Sequence, residues 1–146
     1  MTPDEIVLVK NSFRLVEPIQ EQAAVLFYRR LFELDPRVAR LFGATDMDRQ
    51  RKALMQTLAV VVRGLDHLDE VVPGVRALGR RHTAYGATPG DYPTVGAALL
   101  WTLEQGLGRA FTPAVRDAWT AAFALLSSTM IEAANEDPDD AAKAAA

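Results

Sequence analysis

Apolar residues recur along this chain at steps of three and four, the spacing of one helix face. Ile6, Val9, Phe13 and Val16 form the first stripe. Thr2, Pro3 and Asp4 supply its start: a side-chain cap, a first-turn proline and an acid at the positive end of the helix. Pro18 opens a second segment with Ala24, Tyr28 and Leu31 on one stripe and Phe27 and Leu34 beside it. Asp35-Pro36 ends that segment, because a residue before proline avoids helical backbone angles. A short segment from Pro36 to Phe42 follows.

Thr45-Asp46-Met47-Asp48 resembles a capping box and predicts a helix to about Arg63, with Gly64 as a left-handed stop. Gln50, Leu54, Leu58, Val61 and Leu65 share its inner face. The run HLDEVVPG from His67 reads as a loop with a turn, and Pro73 to Tyr85 as the next helix, closed by Gly86. Asp91 is placed to cap a helix with Tyr92, Val95, Leu99, Thr102 and Gly106 on one stripe and Gly108 as its stop. Thr112-Pro113 opens the last and longest helix, with Trp119, Phe123, Leu126, Met130 and Ala134 inward. The pattern predicts six or seven helices, no strand and no solenoid repeat, so the fold class is all-α. Residues 1–136 form the expected domain, and 137–146, acidic and then alanine-rich, are expected to fray.

Composition narrows the function. A chain of 146 residues buries about two-thirds of its surface on folding, enough for a core and an internal pocket. No run of 18 apolar residues occurs, so no membrane-spanning helix is expected. The start, MTPDEIVLVKNSF, carries acid early and has no apolar signal core, which predicts a cytoplasmic protein. A net charge of −3 argues against nucleic acid as the main partner. The absence of cysteine excludes disulfides, thiolate catalysis and thiolate-held metals. Two histidines are too few for a zinc site built on several of them.

His82 continues the stripe Val75, Leu78, His82. The pattern leaves two readings open. A lone histidine on an apolar face is most often a core residue satisfied by a hydrogen bond. It can also be a single imidazole ligand to iron, in a cofactor that supplies the other coordination positions as haem does with four pyrrole nitrogens.

The runs FYRRLFELDPRVARLF (27–42), RQRKALMQTL (49–58), GRRHTAYG (79–86), DYPTVGAALL (91–100) and DAWTAAF (117–123) resemble the globin family. They are most similar to bacterial single-domain haemoglobins and the globin domain of flavohaemoglobins, over about residues 5 to 135. The resemblance implies a globin fold of six to eight helices enclosing haem b, iron protoporphyrin IX. By it, His82 matches the proximal iron ligand, Phe42 the phenylalanine on the haem face, and Tyr28 and Gln50 the distal polar pair. Leu54 matches the apolar residue beside bound ligand, Tyr92 the proximal tyrosine, and Arg81 a candidate for a haem propionate. Taken alone, Phe42 reads as core packing, Arg81 and Lys52 as solvated charges, Tyr28 as a core tyrosine bonded to a carbonyl, and Gln50 as solvent-facing.

A tyrosine hydroxyl and a glutamine amide are both donors to a partly negative ligand. Such bonds contribute roughly 1.5–3 kcal/mol each, so two predict slow oxygen release. His67 lies 17 residues beyond Gln50, about 25 Å along a helix, and among acids, so it reads as a solvated loop residue and not a second ligand. The proximal side departs from the family. The glutamate that flavohaemoglobins pair with the tyrosine falls on Ala134, and Glu136 compensates only if the last helix shifts register.

The resemblance thus implies a haem protein that reversibly binds oxygen and other diatomic gases, nitric oxide and carbon monoxide included, with sulfide as a further ligand. The second function is nitric oxide dioxygenase served by an external reductase, since no glycine-rich dinucleotide motif is present. The third is a haem-free regulatory helical module.

Overall fold

A computed structural model describes residues 1–136, and the fray expected over 137–146 lies outside the described residues. Seven α-helices and two short 3-10 turns, with no strand, make up the described part. The first helix, α1 (Pro3–Val16), opens with a complete capping box: Thr2 accepts from the Glu5 N–H at 3.1 Å and Glu5 accepts from the Thr2 N–H at 2.9 Å. A turn over Glu17–Ile19 carries Pro18 and leads to α2 (Gln20–Leu34). Asp35 caps α3 (Pro36–Leu41) by accepting from the Arg37 N–H.

At α4 (Met47–Arg63) the cap is Asp46, which accepts from the N–H groups of Asp48 and Arg49. The cap is therefore one residue later than a Thr45-led box. The left-handed stop expected at Gly64 is not seen, since its φ is −94°. Its glycine has another cause: a Cβ there would sit 2.0 Å from Val71 Cγ2, so the corner closes only without a side chain.

The next helix, α5, spans Leu68–Ala84, and the loop expected over residues 67–74 is helical with Pro73 inside it. Proline removes one N–H and crowds the preceding turn, a local cost. Leu68 packed on the core and Val71 lodged against Gly64 hold that first turn in place. Gly86 follows with φ +104°, a conformation open to glycine. In α6 (Asp91–Leu107) Asp91 acts from inside the helix, accepting from the Thr88 N–H at 2.9 Å, instead of standing as the cap. Gly108 ends α6 with φ +55°. Thr112 caps α7 (Pro113–Ala134), at 22 residues the longest helix described.

The helices pack α5 on α7, α2 on α6 and α1 on α7. The core holds Val9, Phe13, Phe27, Leu31, Leu103 and Trp119, all nearly inaccessible. Burying each of these contributes roughly 1.5–3 kcal/mol. Trp119 joins α7 to α1: its Nε1 donates to Ser12 Oγ at 2.8 Å, and Ser12 donates on to the Leu8 carbonyl. Leu34, set beside the second stripe by the sequence, lies on the surface. Between α4 and α5 contact is slight beyond the Gly64–Val71 corner, so the two helices spread apart along their lengths.

Candidate functional site

Tyr28 sits in the buried stripe of α2, 5% exposed. Its ring meets Phe27 edge-on at 5.0 Å between centroids and Phe42 at 5.6 Å. Phe42, half-buried just past α3, also touches Phe32. Gln50, in the first turn of α4, donates from Nε2 to the Tyr28 hydroxyl oxygen at 3.0 Å. The tyrosine oxygen accepts in this bond, which leaves its own proton for a further acceptor. Burial pushes the Tyr28 phenol above its usual range, outweighing the opposing effects of Gln50 and the nearby Arg51 charge. The hydroxyl is therefore a donor at neutral pH. Leu54, one turn beyond Gln50 on the same face, packs half-buried on the core.

His82 lies half-buried in the last turn of α5, with Nδ1 2.8 Å from the Leu78 carbonyl oxygen. A carbonyl only accepts, so Nδ1 carries the proton in this bond. In the neutral ring Nε2 then holds a free lone pair, in the form a metal takes. Arg81, next to it, is exposed. His67 is also exposed, at the start of α5, as expected of a solvated residue.

Tyr92 in the first turn of α6 has a buried hydroxyl with no hydrogen-bond partner among the described residues. Burial, then the Asp91 charge, push its phenol upward. Ala134 ends α7, and Glu136 just beyond it is held by Arg76 and by Arg80, the latter at 2.7 Å. No carboxylate among the described residues bonds to His82 or Tyr92. The register shift that would bring Glu136 to the imidazole has not occurred.

The structure thus joins Phe42 and Gln50 directly to Tyr28, sets Leu54 on the same face of α4 as Gln50, and leaves Arg81 on the surface. Two features escaped the sequence. Arg51, paired with Asp48, places a positive charge near Tyr28, although it lies off the apolar stripe. The Arg76–Arg80–Glu136 cluster joins residues 56 apart in the sequence at Arg80, so no local pattern signals it.

An all-α fold in which a carbonyl-bound histidine ends the helix packed on the last one defines a class of helical proteins with one orientable imidazole. The comparisons identify the family. Residues 25–130 match the globin family, and the chain belongs to it. The chain is 31% identical over 134 residues to a flavohemoprotein of Vibrio cholerae, covering 90% of this chain and 34% of that protein. It is 29% identical over 128 residues to a flavohemoprotein of Bacillus subtilis, covering 86% and 32%. The chain therefore spans about a third of the length of these relatives. Among solved structures, a bacterial globin from Campylobacter jejuni superposes with a TM-score of 0.81 at 23% identity, over 91% of this chain and 96% of that one. A hexacoordinated heme protein from an anhydrobiotic tardigrade gives 0.82 at 17% identity, over 93% and 96%. At these identities the structural likeness establishes the globin fold. No helix among the described residues is long and apolar enough to cross a membrane.

Proposed function

We propose that this globin binds haem b and reversibly takes up oxygen and other diatomic gases, with His82 as the iron ligand and Tyr28 and Gln50 as the distal donors. The donor chemistry fits the cofactor. Among the described residues no group of three or more His, Cys, Asp or Glu can hold a metal ion. His82 offers one oriented nitrogen, so the remaining donors come from the cofactor, as a porphyrin's four nitrogens do. The flavohemoprotein relatives are haem proteins by name, which supports the same reading.

Haem, when bound, would supply an iron able to take up a diatomic gas, held by His82, with Tyr28 and Gln50 as donors toward the gas. The Gln50–Tyr28 bond is the observation that carries the proposal. Gln50 fixes the phenol from the oxygen side and keeps a second amide proton of its own. Tyr28 is buried and protonated, and its hydroxyl proton is free to donate into the distal space. Leu54 keeps that space apolar, which strengthens such bonds. His82 donates Nδ1–H to the Leu78 carbonyl, which fixes the ring orientation and the tautomer that leaves Nε2 for a metal. Phe42 supplies an aromatic face beside the distal pair. Arg81, exposed beside His82, suits a propionate.

The proximal side favours gas binding over dioxygenase turnover. A carboxylate on the imidazole would raise its electron donation, and the carboxylate at the end of α7 is held by two arginines instead. The test is the visible absorption spectrum, ferric, then ferrous with oxygen and with carbon monoxide. A Soret band that shifts with gas and is lost in His82→Ala is the expected result. No band after adding haemin overturns the proposal.

A further inference from the structure

Residues 37–81 carry nine arginines and lysines against five acids, a local +4 in a chain of net −3. This segment forms α3, α4 and most of α5. Its corners meet: a Cβ on Gly86 would lie 3.3 Å from Leu41 Cδ2, so the α3–α4 corner abuts the α5–α6 corner. Two large side chains stand out in solvent at this junction, Leu41 at 46% and Tyr85 at 74% exposed. Arg40 precedes Leu41, Arg49 and Lys52 flank Gln50 in the first turns of α4, and Arg81 lies one turn before Tyr85. All four cations are exposed, and none has a carboxylate partner among the described residues.

The acids nearby are engaged elsewhere. Asp35 is taken by Arg37, Asp48 by Arg51, Asp46 caps α4, and Asp91 accepts from Thr88. The two propionates of the proposed cofactor neutralise at most two of the four cations, so a surplus remains. An exposed tyrosine and leucine on a segment that carries cations unpaired among the described residues have the make-up of a protein interface, with an apolar centre and a charged rim.

We propose that this junction docks an electron-donor protein through an acidic face, with Tyr85 and Leu41 at the centre of the contact. The inference rests on the haem reading, which gives the protein an iron that must be kept reduced. The donor's acids would face Arg40, Arg49, Lys52 and Arg81, and its redox group would come to rest against the edge of the site that Phe42 and His82 define.

The test uses reduced flavodoxin, a small acidic flavoprotein, as donor to the ferric holoprotein. The second-order reduction rate is expected to fall about tenfold or more as salt rises from low to physiological ionic strength. The double variant Arg40→Glu, Arg49→Glu should be about tenfold slower at low salt and match the parent at high salt, with an unchanged Soret band. Tyr85→Ser should weaken the complex at every salt concentration. Nuclear magnetic resonance of the labelled protein with oxidised flavodoxin needs no electron transfer. Shifts confined to Leu41, Tyr85 and their cationic neighbours support the docking surface. A salt-independent rate, unaltered kinetics in the double variant, or shifts on another face overturns it. Failure to bind haem shows in the Soret band and is a separate result.

Discussion

The amide of Gln50 donates to the hydroxyl oxygen of Tyr28 across 3.0 Å, linking α4 to α2 at residues 22 apart in the sequence. Because the phenol oxygen accepts, its proton is directed to a third partner. In the proposed site Gln50 orients the tyrosine that would donate to a bound gas, so removal of either is expected to weaken both.

Tyr28→Phe and Gln50→Leu are each expected to speed oxygen dissociation. Bonds to a partly charged acceptor contribute roughly 1.5–3 kcal/mol, about ten- to a hundredfold in rate if the loss falls on release. The double variant should show less than the sum of the two effects, since the residues share one network. Stopped-flow measurement checks this, and unaltered rates in both single variants would remove the distal pair from the site.

Tyr28 also predicts a pH dependence. Burial raises its pKa above the ordinary value of 10.0. The unfolded chain therefore ionises this group first as pH rises. Its contribution to stability is full below about pH 10 and is lost as pH climbs through the higher folded value. Denaturant unfolding at pH 8, 10 and 11 should show the parent losing stability relative to Tyr28→Phe only above about pH 10. A constant difference across that range contradicts the burial effect.

His82→Gly should abolish the Soret band, and added imidazole should restore part of it by entering the space left by the ring. Ala134→Glu places a carboxylate at the end of α7, the position to which the globin resemblance assigns the proximal glutamate. The expected outcome is a higher iron–histidine stretching frequency in resonance Raman, from a more basic imidazole. An unmoved band would place position 134 out of reach of the proximal ligand.

Gly79 and Gly74 make a paired test of how α5 is seated. A Cβ on Gly79 would lie 2.4 Å from the Met130 carbonyl oxygen, backbone that cannot yield without moving a helix. Gly79→Ala is expected to cost about 1–3 kcal/mol. Gly74 has nothing within 4 Å, so Gly74→Ala in the same helix should stabilise by roughly 0.5–1 kcal/mol. Thermal unfolding distinguishes them, and equal effects would mean that α5 does not press on α7 at this point.

The sequence by itself determined the all-helical class and most helix limits, and it marked the candidate site residues. These follow from local physics. The 3.6-residue period shows in the apolar stripes of α1 and α4, and Thr2 and Thr112 cap with partners three residues away. A histidine on an apolar face and the ordered motifs around Tyr28, Gln50 and His82 mark the candidate site. The sequence misplaced the start of α5, because Pro73 signals a break whose cost is local, whereas the packing of Leu68 and Val71 that overrides it is not. It read Gly64 as a backbone stop, because a single chain does not display the Val71 methyl that occupies the Cβ position.

Only the tertiary structure decided the directions of the bonds. Tyr28 accepts from Gln50, His82 turns Nδ1 to Leu78, the Tyr92 hydroxyl is left without a partner, and Glu136 goes to Arg76 and Arg80. Apart from the His82–Leu78 bond, which lies within α5, each depends on which helices meet and at what height, and that is set by close packing between segments far apart in the chain.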